Sequence, residues 1–406
     1  MNTNRTEQIN RTEQINRTHK SETRRAGNII VLSAAVLVVI LAFSSFSVDV
    51  GYITLAKTQM QNAADAGVFA AGMELPDGWG LGASKTTAEV AAISRQAAVD
   101  VAAANRVADR SSAYLDGARD VRFGQRSWDA GTSTWTESWG VAPYNMVEVT
   151  IRRNVALPED GSAGNGDGPL SLFFAPIIGH RTAGLSVTAT SILAQGVGFR
   201  IEAGSTQTAG VLPIAFDEQT WNDVLAGVGN DNYAYDPVTG AITAGSDGII
   251  DFDLYPTSDT TLPPGNRGTV DIGSANNSTA DLSRQILNGL NASDMAYYGG
   301  EFRLDVTPID LNGDTGLSAG IKDELTAIIG QPRAIPIFSA VSGPGNNATY
   351  TVVKFVGVRL LEVQLTGSNK YVMVQPAPFM DSSVIKGTPK TILTEDAIFA
   401  PSMLVR

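Results

Sequence analysis

The sequence predicts an α+β protein led by one membrane-spanning helix, and three observations carry that prediction. Residues 29–48 form an unbroken apolar run. Residues 50–70 and 90–104 then place apolar and small side chains three and four positions apart, the spacing of one helix face. From residue 121 the alternation shortens to two, as in Val121 and Phe123, Val147-Glu148-Val149-Thr150-Ile151-Arg152, and Leu185, Val187 and Ala189, which is the period of a half-buried strand.

The first element is the apolar run. At about 1.5 Å per residue it makes about 30 Å of helix, the thickness of a bilayer's hydrocarbon core. Its polar side chains are Ser33, Ser44, Ser45 and Ser47, and a helix returns a serine hydroxyl to its own backbone, so none opposes insertion. Arg17, Lys20, Arg24 and Arg25 crowd its N-terminal side, whereas its C-terminal side opens with Asp49 and offers only Lys57 nearby. The positive-inside bias then makes residues 1–25 a cytoplasmic tail, residues 26–48 a transmembrane helix in contact with lipid through 29–48, and the bulk of the chain extracytoplasmic. A cleaved signal peptide is the competing reading, with Ser45-Phe46-Ser47 as a small-x-small site. Against it, the run exceeds the usual length of about 7–15 apolar residues. The helical stripe also continues without a break through Val50, Ile53, Ala56, Met60, Ala63, Gly67 and Ala70, and a segment destined for removal has no reason to share a helical phase with the mature chain.

These residues bring a family into view. The order Arg24-Arg25, Gly27, the apolar span, Val48-Asp49-Val50-Gly51, a short amphipathic stretch and Gln61-Asn62-Ala63-Ala64-Asp65-Ala66 resembles the N-terminal module of TadG-like proteins of the Tad (Flp, type IVb) pilus assembly system. The resemblance covers about residues 24–72. It implies an inner-membrane anchor with an extracytoplasmic (periplasmic) part, other Tad/Flp pilus assembly proteins as partners, and Arg24, Arg25, Asp49, Gly51, Gln61, Asn62 and Asp65 as the anchor and motif residues. Related minor pseudopilins are cut after a Gly and carry Glu at the fifth mature position. Here the fifth residue after Gly27 is Leu32, which argues for a permanently anchored accessory protein rather than a polymerising pilin.

The chain's 406 residues leave room for two folded regions, expected over 49–198 and 199–406. Cysteine is absent, so ordinary cores and not disulfides must supply stability. A chain 43% hydrophobic and 17% charged is too apolar for wholesale disorder. Residues 1–25 hold six Lys/Arg against three Asp/Glu, leaving 23 basic against 38 acidic groups and a net charge of −15 in the remainder. So acidic a surface repels phosphate backbones, and no nucleic-acid partner is expected. The tail carries a tandem repeat, Arg5-Thr6-Glu7-Gln8-Ile9-Asn10 followed by the same six residues, too short and polar to bury a core.

Beyond the anchor, Thr86-Thr87-Ala88-Glu89 has the spacing of a capping box, and Val90, Ile93, Ala97, Val101 and Ala104 continue a helical stripe to Asn105. Both stripes are rich in Ala, so the two helices are expected to pack together or against one sheet. Residues 159–168 read as a Gly-rich loop and 170–178 as a short helix. Trp128, Trp135 and Trp139 are expected in core or edge-strand packing. In the second region, 211–216 reads as a strand, Asp236-Pro237-Val238-Thr239-Gly240 as a turn, and Ser278-Thr279 and Asp314-Thr315 as helix starts. Strands are expected over 351–365 and 371–375, joined by Gly367-Ser368-Asn369-Lys370. The apolar phase slips between Leu360 and Leu361, which predicts a bulge or a strand buried on both faces.

Chemistry-bearing patterns are scarce. The two histidines are His19, in the tail, and His180, at the expected end of a helix, and no G-x-S-x-G elbow occurs. Asp310-Leu311-Asn312-Gly313-Asp314 has the first spacings of a calcium loop, but position six is Thr315 and position twelve Ile321, so a helix-capping loop is expected instead. Asp247, Asp251 and Asp253 read as a solvated acidic face. No cofactor, metal or small-molecule substrate is expected. The favoured reading is a non-enzymatic, inner-membrane-anchored assembly component. The alternative is an anchored or exported adhesin or ligand-binding ectodomain, dependent on calcium if Asp310–Asp314 is a site.

Overall fold

The computed structural model describes residues 26–156, 164–255, 268–274, 277–314, 319–388 and 391–405. The tail with its repeat, His19, Arg24 and Arg25, and part of the expected Gly-rich loop lie outside the described residues. The chain is α+β, as the change of period requires, and divides into two compact units, Met1–Gln59 with Arg152–Ser186 and Met60–Ile151 with Val187–Arg406.

Helix α1 runs unbroken over Ala26–Glu74, about 74 Å at the standard rise. Its apolar part has a mean hydropathy of 2.8 and is long and apolar enough to cross a membrane. Side chains from Ile29 to Phe43 are exposed all round, the pattern of a helix solvated by something other than water. Ser45 and Ser47 donate to the carbonyls of Leu41 and Phe43 at 2.7 and 2.9 Å, so their hydroxyls are satisfied within the helix as expected. Further on, Ala56, Met60, Ala63 and Gly67 are buried along the expected stripe, but Val50 is exposed.

In the first unit the rest of the structure is small. Strands β1 to β3 precede it in sequence: β1 is Val121–Asp129, β2 Thr134–Trp139 and β3 Met146–Arg153. Then β4, Leu170–Ser171, pairs with β5, Thr182–Ala183, and between them Ala175–Ile178 forms one turn of 3-10 helix ended by Gly179 in the left-handed region at φ 93°. Residues 170–178 are therefore a strand end and a tight turn, not the short helix the sequence predicts. Pro176 removes a donor at the start of the turn and Gly179 stops it before a second turn forms. The exposed His180 comes directly after that stop, donating its backbone N–H to the Ala175 carbonyl.

The second unit holds two large sheets. Helix α2, Thr87–Ala103, begins with the expected capping box: Thr86 accepts from the Glu89 N–H, and Glu89 accepts from the Thr86 N–H at 2.8 Å. Its buried face is Val90, Ala91, Ser94, Ala98 and Ala102, while Ile93 and Val101 are exposed. That is one position away from the expected stripe, because the smaller side chains are the ones that admit a neighbour: a Cβ on Gly67 would sit 3.1 Å from the Ala98 carbonyl oxygen and 3.4 Å from the Ala102 Cβ.

Strand β6, Leu185–Arg200, organises the eight-stranded sheet. Its later members are β12, Glu301–Arg303, β17, Phe379–Met380, β18, Val384–Lys386, and β19, Ile398–Val405. The order is β17-β19-β6-β3-β1-β2, with β12 and β18 also on β6. The sheet thus joins residues from both sides of position 199. Trp128 and Trp135 face each other across the β1–β2 hairpin with ring centroids 5.4 Å apart, and the guanidinium of Arg122 lies 3.8 Å over Trp139, so the tryptophans pack along an edge strand as expected.

The seven-stranded sheet is built from β7, Phe216–Asp217, β10, Phe252–Asp253, β11, Val270–Asp271, β13, Ile309–Gly313, β14, Pro332–Ser342, β15, Thr349–Gln364, and β16, Tyr371–Pro376. It follows the order β10-β16-β15-β13-β11, with β14 on β15 and β7 on β14. A separate small hairpin pairs β8, Tyr233–Tyr235, with β9, Ile242–Ala244. Strand β15 is continuously buried from Phe355 to Leu361 and shifts register between Leu360 and Glu362. The phase slip in the sequence therefore marks both a bulge and burial on two faces. Helices Glu218–Leu225, Thr279–Asn288 and Lys322–Ala327 share an apolar core with this sheet through Trp221, Ile286 and Leu325 against Val356, Val358 and Leu360. A second core, with Phe199, Phe302 and Phe355, draws on both sheets.

Several local expectations change. Residues 211–216 are buried, yet only Phe216–Asp217 forms a strand. Asp310 to Gly313 lie in strand β13 rather than a capping loop, with Asp310 accepting from the Thr351 hydroxyl at 2.7 Å and Asn312 donating to Asp271 at 3.0 Å. The helix start expected at Asp314-Thr315 falls largely outside the described residues, which resume with a 3-10 turn over Ala319–Ile321 leading into a helix over Lys322–Ala327. The acidic residues near 250 are not a solvated face: Asp251 is buried and accepts from the Asn232 and Tyr233 amides, Asp253 accepts from Tyr255 and Val372, and only Asp247 stays exposed. Burial pushes the Asp251 and Asp253 carboxyls up, and their amide donors pull partly back.

Candidate functional site

The motif residues on α1 fall into separate groups. Gln61 donates to Asp65 one turn away at 2.8 Å, a pairing within the helix surface, and Asn62 beside them is exposed. Gly51 is exposed, and a Cβ built on it meets no atom within 4 Å.

Asp49 is different. It is the first residue after the apolar run and heads the buried stripe of α1, with a side chain only 4% exposed. Its carboxylate accepts three backbone N–H groups in succession, from Phe173 at 2.8 Å, Phe174 at 3.0 Å and Ala175 at 2.6 Å. These amides open the 3-10 turn and would otherwise lack partners, so one short anionic side chain satisfies them together. One turn along the helix, Tyr52 packs on Phe173 with ring centroids 5.0 Å apart. Burial alone would push the Asp49 carboxyl up, but the three amides outweigh it and hold the group below the ordinary aspartate value. The turn so held displays apolar side chains outward: Ile177 is 84% exposed, Ile178 72% and Phe173 62%.

The depressed value fixes the sign of the pH response. A carboxyl whose value is lowered in the folded chain stabilises it fully above the unfolded value, about 3.9, and loses that contribution as the pH falls through the lowered folded value. Amide exchange at residues 173–175 should therefore keep constant protection from neutral pH down to about pH 5 and lose it in stronger acid. Asp49→Ala should remove it at every pH, by about tenfold or more, while Asp49→Asn should leave partial, pH-independent protection. Unchanged exchange in Asp49→Ala would mean the carboxylate does not hold the turn.

Sequence reasoning singled out Asp49 but not its partners, which lie 124 to 126 positions away. The available signal was the doubled Phe173-Phe174 and Ile177-Ile178 around Pro176, with no helical period to bury them. Among the described residues no group of three or more His, Asp or Glu could hold a metal ion.

The geometry defines a class: an α+β protein led by a single long apolar helix that carries its own buried stripe beyond the apolar run. Within that class, the Flp pilus-assembly TadE/G-like family model matches residues 27–74, and the Tad-like Flp pilus-assembly family model matches residues 70–191. Over residues 27–191 the chain is thus similar to two Flp pilus-assembly Tad families. No curated protein and no solved structure matches it significantly.

Proposed function

We propose that the chain is a non-enzymatic component of Tad/Flp pilus assembly, held in the inner membrane by residues 29–48 with its N-terminus in the cytoplasm and residues 49–406 in the periplasm. The observation that carries this reading is the continuity of α1 from the exposed apolar run into the buried stripe at Ala56, Met60 and Ala63. A helix solvated by lipid at one end and packed at the other is a tether for a folded body, and cutting it near residue 48 would sever an unbroken hydrogen-bonded helix. Arg24, Arg25 and Asp49 bracket the span with the charge asymmetry that orients it. The motif residues Gly51, Gln61, Asn62 and Asp65 come next on the periplasmic side, where the exposed Asn62 and Gly51 are available to pilus or envelope partners. The division into a TadG-like α+β module over 49–198 and a second β-rich α+β region over 199–406 is part of this proposal, and the second family match, which ends at residue 191, supports it. The acidic composition supports protein partners over nucleic acid.

The test is deletion with complementation, read together with the mature N-terminus. Loss of pili in the deletion strain, their return with the full chain, and membrane-bound mature protein that retains residues 29–48 are the expected results. Mature protein beginning near Val48 and recovered in a soluble fraction would overturn the anchor. Normal piliation without the gene would overturn the assembly role.

A further inference from the structure

Residues 172–181 carry an apolar surface that the other described residues leave exposed, and their position identifies its environment. Asp49 fixes the turn to α1 through three amides at the residue where the apolar run ends, and Tyr52 on Phe173 adds a second attachment one turn on. The outward side chains Phe173, Ile177 and Ile178 therefore belong to a turn attached to α1 where its apolar run ends, and Phe46 and Val48 at that end of the run are exposed as well. The local charge agrees. From residue 168 to 201 there is no Asp or Glu, in a chain of net charge −12, and the turn ends on exposed His180 and Arg181.

We propose that this turn is an interfacial membrane anchor: Phe173, Ile177 and Ile178 insert between lipids of the outer leaflet of the membrane that α1 spans, with Tyr52 and Arg181 at headgroup level. The proposal rests on the anchoring role assigned to residues 29–48 and adds a second contact with the same bilayer. Aromatic and cationic side chains favour the headgroup region, and apolar side chains from such a segment reach about 5–10 Å into the boundary of the acyl chains. A helix alone fixes depth but leaves rotation about its own axis free. A wedge clamped to one side of the helix stops that rotation, and so sets which face of the buried stripe's helix meets a partner.

Because the chain contains no cysteine, a single one introduced by substitution reports from one place. The full chain carrying Ile177→Cys, labelled with an environment-sensitive fluorophore, is reconstituted in phosphatidylcholine–phosphatidylglycerol vesicles with nitroxide placed either near the headgroup or deep in the acyl chain. Ile40→Cys reports on the span and Val238→Cys, on an exposed turn, on the aqueous side. The expected result is a blue shift and fluorescence loss at 177 that is greater with the shallow nitroxide, greater loss at 40 with the deep one, and neither at 238. Quenching at 40 without quenching at 177 overturns the wedge and leaves the anchor intact. No quenching at 40 overturns the anchor and the wedge with it. Shielding of 177 in cells but not in vesicles of the protein alone shows a protein partner covering the turn, and also overturns the proposal.

Discussion

Replacing Phe302 by alanine is expected to cost about 3–5 kcal/mol of unfolding free energy, a large part of the stability of an ordinary domain. Phe302, on β12, is fully buried and lies edge-on to Phe355 of β15 at 5.0 Å between ring centroids. Phe355 also meets Phe199 of β6 edge-on at 4.9 Å, and Tyr298 stacks on Phe302 at 4.8 Å. These rings tie the eight-stranded sheet, through Phe199 and Phe302, to the seven-stranded sheet, through Phe355. Truncation to alanine removes the buried ring area and leaves a cavity that two hydrogen-bonded ladders cannot close. Urea unfolding should show a lower midpoint with an unchanged slope, and Phe302→Leu should recover more than half of the loss. A double-mutant cycle between Phe302 and Phe355 should give about 0.5–1.5 kcal/mol of coupling. If Phe302→Ala unfolds within about 1 kcal/mol of the parent, the aromatic cluster does not hold the sheets together.

How much of this architecture is legible in the sequence depends on how local its cause is. The capping box at Thr86 and Glu89, the helix start at Ser278 and the turn at Asp236 are decided by residues within four positions of one another, and each forms where its spacing predicts. The phase slip at Leu360 and Leu361 is readable for the same reason, since a strand's period is so short that one extra residue shows at once. The Asp49 clamp is half legible. A carboxylate directly after an apolar span stands out in any sequence, but the amides it satisfies are set by tertiary structure.

Acidic residues mislead for a related reason. Asp251 and Asp253 have the composition of a solvated face, yet their short side chains reach nearby amides and are worth burying as acceptors. Residues 310–314 have turn composition, but pairing with 349–352 draws residues 309–312 into a strand. The buried face of α2 differs from the expected one because a hydrophobicity stripe ranks Ile and Val above Ala and Ser. The observed interface instead selects the smallest side chains, which allow two backbones to approach.

The same selection for smallness leaves Gly72 the least room of the glycines Gly51, Gly67 and Gly72 on α1. A Cβ there would lie 2.8 Å from the Ser402 Oγ and 2.9 Å from the Ser402 Cβ, closer than real Cβ atoms come, and 3.0 Å from the Ser191 Oγ, a tight contact. Turning the hydroxyls leaves the Ser402 Cβ contact in place, and both serines are buried in strands, Ser191 on β6 and Ser402 in the register shift of β19. Gly72→Leu is expected to cost about 3 kcal/mol or more, either by lifting the helix off the sheet or by bending the two strands. Gly72→Ala should also destabilise, although alanine is favoured over glycine in a helix by about 1 kcal/mol. Gly51 is the control within the same helix. No atom lies within 4 Å of a Cβ there, so Gly51→Ala meets only the propensity term and should stabilise the chain by about 0.5–1 kcal/mol. Opposite signs for one chemical change, read from urea midpoints, would show that close approach and not helix propensity decides Gly72. Restoration of Gly72→Ala by Ser402→Gly, which removes the atoms it strikes, would locate the clash. Equal effects at 51 and 72 would show that α1 does not rest on the sheet at Gly72.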